Sequence, residues 1–189
     1  VEWMDRMLEY DKNIRILGEM KPNEPMDHAY IPTVGHFLGL ASLTVDPSRV
    51  GALIESAHSI LAGLDPSDEM AYARYQKKLW SVHLNDQNGL KFDEDKSFGS
   101  VDLRRAFNQV WVLERNGFGQ NGEFIGLDVK ALRTQVKEKS TKHLSNSREI
   151  FLRLVELARS LEVDKVDQLR SSCDYEELDR LIVTHLMGG

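Results

Sequence analysis

Four short apolar segments of this sequence each end in a side chain able to bind a metal ion. Glu19 closes NIRILGE, Glu55 closes VGALIE, His83 closes LWSVH and Asp128 closes EFIGLD. Carboxylate oxygens and imidazole nitrogens are the donors that divalent cations commonly take from proteins. Further donors lie near these ends: His58 follows Glu55 at i+3, and KFDED places Asp93 and Asp95 after His83. Together Glu19, Glu55, His58, His83, Asp93, Asp95 and Asp128 suffice for two divalent ions sharing one carboxylate. Such a pair suits an oxygen-rich substrate, because adjacent ions grip adjacent oxygens, polarise a carbonyl and acidify a bound water.

For these donors to converge, the segments that carry them must be parallel neighbours. The ligand-to-ligand steps are 28 to 45 residues long (19 to 55, 55 to 83, 83 to 128), and helical patterns fill the gaps. Strands alternating with helices predict βαβ units and a parallel sheet, with the donors at one mouth of a barrel. Helices are expected over 2–12, 33–44, the segment AHSILAG, about 67–78 with Ser67 as cap, and 101–117 with Leu103, Phe107, Val110 and Leu113 on its buried face. A polar loop, NDQNGLKFDEDKSFG, separates strand 79–84 from the next helix, and strand 123–129 follows. From Ser147 onward the chain reads as helical. Four strands are half of an eight-stranded barrel, which typically takes about 250 residues. The expected fold is therefore α/β: the C-terminal half of a TIM (β/α)8 barrel, about strands 5 to 8, over 1–139, then a helical segment over 140–189. Position 1 is Val, a weak hint that the N-terminus was cut or left out.

Bulk properties narrow the function. A chain of 189 residues, 41% hydrophobic, can bury a core without staples. Its net charge of −6 argues against a nucleic-acid partner. Cys173 is the single cysteine, so no internal disulfide forms and a cytoplasmic setting is the default. No apolar run approaches the roughly 20 residues of a membrane span, and the N-terminus lacks signal-peptide character.

Longer motifs carry a family resemblance. GEMKPNEP (18–25), ESAHSILAGL (55–64), HLNDQNGLKFDED (83–95) with SFGSVDLRRAF (97–107), and LDVKALRT (127–134) resemble, in order and spacing, the second half of the xylose isomerase family of aldose-ketose isomerases. The resemblance implies a hydride shift between C1 and C2 of a sugar at two divalent ions. Glu19, Glu55, His83 and Asp128 resemble the ligands of the ion that holds the sugar hydroxyls, so Glu19, Glu55 and Asp128 also count as substrate-binding. Glu55 bridges to a second ion completed by His58, Asp93 and Asp95. Lys21 resembles the lysine that bonds the carbonyl-end oxygen, and Glu24 and Pro25 a pair joined by a cis peptide. Lys130 matches a basic residue beside the last ligand. Lys21, His58 and Asp95 are the expected catalytic set, with Asp95 orienting the water that carries the hydroxyl proton. The xylose enzymes have aspartate where this chain has His83; L-rhamnose isomerases are similar to it in using histidine. A histidine among carboxylates tilts the expected ions towards Mn²⁺ or Co²⁺ over Mg²⁺. The family's first-half residues, including a ring-opening histidine and aromatic pocket walls, have no counterpart here.

Blander readings compete. A lone strand-end glutamate is usually solvated or a helix cap, and Asp93-Glu94-Asp95 alone is usually a polar turn; recurrence within longer motifs outweighs both. His28, His36, His143 and His185 read as surface or packing residues, and Trp80 and Trp111 as core. Sugar epimerisation and an inactive fragment needing its missing N-terminal half are the alternatives to isomerisation, and a barrel-type nuclease is opposed by the acidic charge. Open sheet edges predict a homo-oligomer or association with the missing half.

Overall fold

The computed structural model describes residues 1–188. Its four strands, β1 (Ile16–Glu19), β2 (Val50–Glu55), β3 (Leu79–His83) and β4 (Phe124–Gly126), form one parallel sheet in the order β1-β2-β3-β4. Parallel neighbours in sequence order, linked by helical crossovers, are the arrangement of consecutive strands in a TIM barrel. The pairing sets Glu19 beside Leu53, two residues before Glu55, and, after a register shift between Ala52 and Leu53, Glu55 beside His83. This register sets Glu55 level with His83 and leaves Glu19 two residues back at the same end of the sheet.

Eight helices accompany the sheet: α1 (Glu2–Tyr10), α2 (Val34–Ala41), α3 (Ser56–Leu61), α4 (Pro66–Tyr75), α5 (Leu103–Arg115), α6 (Lys142–Ser160), α7 (Val163–Ser171) and α8 (Tyr175–Leu186). Alternation along β2 sends Val50, Ala52 and Ile54 into the helix layer, where they join Val34, Phe37, Met70, Phe107 and Val110 in the core. α6 continues that core with Leu154, Val155 and Ala158. At roughly 25 cal/mol per Å² of apolar area removed from water, each of the larger side chains (Val, Leu, Ile, Met, Phe) stabilises the fold by about 1.5–3 kcal/mol.

Several expectations need correction. α4 is capped by Asp65, whose carboxylate accepts from the Ser67 amide and hydroxyl, with Pro66 in the first turn where its missing N–H is harmless. Leu103 is 42% exposed: Asp102 caps α5, and the face it buries starts at Ala106 and Phe107. β4 stops at Gly126, so Asp128 lies beyond the strand. The terminal helical region begins at Lys142, ahead of Ser147. Neither Trp80 nor Trp111 is fully buried, though Trp111 packs against the core. Trp80 lies across Gly51, where a Cβ would come within 2.1 Å of the indole, and Arg15 covers the ring at 3.8 Å. Trp111 stacks on Phe107 with centroids 6.2 Å apart. His185 is no free surface residue either, since its Nε2 lies 2.8 Å from the Leu157 carbonyl and ties α8 to α6. Among the described residues, no helix is long and apolar enough to cross a membrane.

Candidate metal centre

Each of the first three donors stands where an apolar strand runs out. Glu19 ends β1, Glu55 ends β2 and His83 ends β3, so backbone pairing fixes all three at one edge of the sheet. Asp128 reaches the same place from the extended segment after β4. Glu19, Glu55, His83 and Asp128 each offer a ligand atom within 4.8 Å of the others. His83 Nδ1 lies 3.7 Å from Glu55, 3.6 Å from Asp128 and 4.0 Å from Glu19. Gly126 makes room for that ring: a Cβ there would sit 2.7 Å from His83 Cδ2.

A second group adjoins the first and shares Glu55. His58, one turn into α3, places Nε2 3.3 Å from Glu55 and 3.3 Å from Asp93. Glu55, His58 and Asp93 again have ligand atoms within 4.8 Å of one another. Asp95 falls outside both groups. Its carboxylate is nearly fully buried, pairs with the Lys130 ammonium and accepts from Asn85. The Asp95 backbone sits at φ 45°, in the left-handed region that a non-glycine residue adopts at a cost. Lys21 extends over the site from just past β1, its Nζ 2.7 Å from Asp93 and 3.3 Å from Glu24. The Glu24–Pro25 peptide is cis, as the motif implies, and the Glu24 carboxylate accepts from the Asp93 amide. His28 and His36 are exposed.

The electrostatics are those of a cation site. Six carboxylates, Glu19, Glu24, Glu55, Asp93, Asp95 and Asp128, face only two ammonium groups, Lys21 and Lys130. Burial, then the hydrogen bond with Glu19 and the fields of Asp128 and Asp93, push the Glu55 carboxyl up to about 10. Burial also raises Asp95, against the pull of Lys130. Asp93 goes the other way: burial opposes its charge, but hydrogen bonds from His58 and Lys21 hold it below the usual carboxylate range. Lys21 and Lys130 are correspondingly raised: burial disfavours the Lys21 charge but Asp93 outweighs it, and Asp95 holds Lys130.

Four buried polar atoms are left without a hydrogen-bond partner at this place, Glu55 Oε2, His58 Nδ1, His83 Nδ1 and Asp93 Oδ1. Buried polar groups are ordinarily paired, and leaving one unpaired costs about 1–3 kcal/mol. Orphaned lone pairs gathered among mutually repelling carboxylates fit divalent cations, which take up lone pairs and offset the charge.

Sequence reasoning missed Asn85. It is 1% exposed, and its amide nitrogen donates to Glu55 at 2.9 Å, to Asp95 at 3.0 Å and to the Asp128 carbonyl at 2.9 Å, while its oxygen accepts from the Ala57 amide. Two residues past His83, it continues the strand's period of two, which was the available signal. The segment after it is a loop, as expected from the sequence, and is internally hydrogen-bonded. Buried Asp86 accepts from the amides of Gln87, Val101 and Asp102, and buried Gln87 accepts from the Glu94 amide, which fixes Asp93 and Asp95 between them.

No protein-family model matches the chain. The chain is 34% identical over 172 residues to a xylose isomerase from Streptomyces lividans, a match that covers 90% of this chain and 42% of the relative. It therefore spans less than half the length of that protein. In fold it is similar to the crystal structure of a D-tagatose 3-epimerase-like protein, at 18% identity and a TM-score of 0.64, covering 84% of this chain and 52% of the other. Strand-end donors, the sequence match along most of the chain and the shared α/β fold converge: the chain belongs to the xylose isomerase-like family.

Proposed function

We propose that the chain is the metal-binding half of a sugar isomerase that interconverts an aldose and a ketose by a hydride shift. The observation that carries this reading is the pair of adjoining donor groups sharing Glu55. Glu19, Glu55, His83 and Asp128 would hold one divalent ion, and Glu55, His58 and Asp93 a second, with Asp95 beside it; Mn²⁺ or Co²⁺ suits the histidines better than Mg²⁺. When bound, two such ions polarise a carbonyl and lower the pKa of a neighbouring hydroxyl.

The chain's own residues would manage the proton and the charge. In an aldose-to-ketose shift the hydrogen on C2 moves with its electron pair to C1, O2 loses a proton and O1 gains one. Asp95, buried and held in place by Lys130, would orient the water that takes the O2 proton and returns it to O1. Lys21, pinned by Asp93 and Glu24, presents an ammonium to the oxygen on which charge develops.

Residues 1–139 would form the site-bearing part, strands 5 to 8 of the barrel, and 140–189 a helical segment. β1 and β4 each pair on one side only, and Phe124 is 53% exposed. These features support completion of the barrel by another polypeptide half or a second copy. The lone exposed Cys173 suits a reducing, cytoplasmic setting.

The shared fold with a D-tagatose 3-epimerase-like protein supports a second reading, epimerisation at one carbon of a sugar. Incubation with a 2-deuterated aldose and Mn²⁺ distinguishes the two. Ketose carrying the label at C1 supports the hydride shift. A C-epimer with label lost to solvent supports the second reading, and no turnover by the chain completed with its partner half contradicts both.

A further inference from the structure

The sequence holds three Asn-Gly pairs, Asn88-Gly89, Asn116-Gly117 and Asn121-Gly122. Glycine carries no Cβ to shield its amide nitrogen, so the backbone after such an asparagine can reach the asparagine's own side chain. What separates the pairs is how far the fold ties these two groups down. In Asn116-Gly117 both are held: the Asn116 side-chain amide donates to the Val112 carbonyl at 2.7 Å, and the Gly117 N–H donates to the Glu114 carbonyl at 3.4 Å. In Asn121-Gly122 the side chain alone is held, donating to Glu123 at 3.3 Å. Asn88-Gly89 has neither restraint: among the described residues, no hydrogen bond engages the Asn88 side chain or the Gly89 N–H. Both residues are exposed, and a Cβ built on Gly89 meets nothing within 4 Å.

The free pair sits in the stretch that carries Asp93. Buried Gln87 gathers that stretch: its amide nitrogen donates to the Gly89 and Phe92 carbonyls, and its oxygen accepts from the Glu94 amide. The Glu94 carboxylate in turn accepts from the Asn88 N–H at 2.8 Å, so residues 88–94 close on themselves. Asn23 donates to the Leu90 carbonyl and the Asp93 amide donates to Glu24, which seats the stretch on the segment after β1. A backbone lengthened at 88 cannot keep all of these bonds. A carboxylate placed there also repels the Glu94 carboxylate that its own N–H now holds.

We propose that Asn88 is a site of spontaneous deamidation, the first of the three pairs to convert, and that its conversion releases the stretch that holds Asp93 at the metal centre. The Gly89 nitrogen attacks Asn88 Cγ, so that the N–Cγ bond forms and the Cγ–Nδ2 bond breaks. The proton on the Gly89 nitrogen passes to solvent base, and the departing nitrogen takes one from water and leaves as ammonia. The cyclic imide then adds water at either carbonyl. One opening gives aspartate; the other gives isoaspartate, whose backbone runs through the former side chain and is longer by a methylene. Water is consumed, ammonia is released, and nothing is oxidised or reduced. The site stands on the geometry of the pair, whereas its effect on ion binding rests on the two-ion reading of the centre.

The test is incubation of the purified protein at mildly alkaline pH, with mass-spectrometric peptide mapping of the three pairs and Mn²⁺ titration of fresh and aged samples. Each hydrogen bond that must break before attack slows it, so Asn88 is expected to convert about fivefold faster than Asn121, and Asn116 to be slower again. Converted protein, separated from the parent by its added charge, is expected to bind the second Mn²⁺ about tenfold more weakly. Gly89→Ala puts its Cβ into open space at a backbone outside the left-handed region, so the variant keeps the fold. When fresh it is expected to bind Mn²⁺ as the parent does, and to convert several-fold more slowly. An Asn88 that stays intact, or conversion at Asn116 or Asn121 as fast as at Asn88, overturns the site. Undiminished Mn²⁺ binding by protein converted at Asn88 overturns the link to Asp93. Fresh protein that binds no Mn²⁺ removes the two-ion reading and that link with it, while the order of conversion still decides the site.

Discussion

Asn85 holds Glu55 from beneath, its amide nitrogen 2.9 Å from the Glu55 carboxylate that the two donor groups share. The same nitrogen reaches Asp95 and the backbone at Asp128, so one buried amide sets the positions of three parts of the centre. Partners of this kind typically change metal affinity by about 10–100-fold when removed. Asn85→Ala is expected to weaken divalent-ion binding by that factor and to lower stability by about 1–3 kcal/mol through unpaired buried groups. Metal titration and thermal melts check both, and unchanged affinity would show that Glu55 holds its position unaided.

Glu55 gives the pH dependence. Its carboxyl is raised to about 10, so without a cation it carries a proton at neutral pH. A divalent ion must displace that proton, and affinity therefore rises with pH and falls as pH drops, by up to about tenfold per unit for one proton released. Calorimetry in buffers of different ionisation enthalpy counts the proton. A count of zero at pH 7 contradicts this account of the site.

Gly126 permits the placement of His83. A Cβ at 126 would press on the imidazole at 2.7 Å, and the ring has carboxylates around it rather than free space. Gly126→Ala is expected to displace His83, reduce ion occupancy at the Glu19, Glu55, His83 and Asp128 group, and destabilise by about 1–3 kcal/mol. Metal-to-protein ratios for the variant and the parent make the comparison. Full occupancy in the variant would mean that His83 is not needed as a ligand.

Acid stability has a separate source, outside the candidate metal centre. Glu123 is pulled down to about 2: burial opposes its charge, but the amides of Asn121, Glu123 and Gly119 outweigh it, and Arg74 pairs with it at 3.0 Å. A carboxyl depressed on folding stabilises the protein above its unfolded value near 4.5, and that contribution is lost as pH falls towards 2. Glu123→Gln should therefore melt below the parent at pH 7, with the gap closing between pH 4.5 and 2. A gap independent of pH would assign the effect to packing.

The residues explain why part of this was legible in the sequence. β1, β2 and β3 end in donors because an apolar strand that stops at a polar side chain marks both the strand and the mouth it faces, so Glu19, Glu55 and His83 stand out along the chain. The cis bond at Glu24–Pro25 followed from the family resemblance of GEMKPNEP. Asn85, Asp86 and Gln87 did not stand out, because buried polar residues inside a folded loop look the same in sequence as a solvated turn. Asp128 was placed on a strand that ends at Gly126, since an extended segment without partners has the composition of a strand. The half-burial of Trp80 depended on Gly51 lying under its ring, a cross-strand fact that no local pattern carries.

The most direct test is anomalous diffraction from crystals grown with Mn²⁺. Two peaks are expected per chain, one among Glu19, Glu55, His83 and Asp128 and one beside His58 and Asp93, with a Glu55 oxygen ligating each. No peak at either group, or a single ion that leaves Glu55 uncoordinated, would contradict the two-ion centre and the isomerase chemistry built on it.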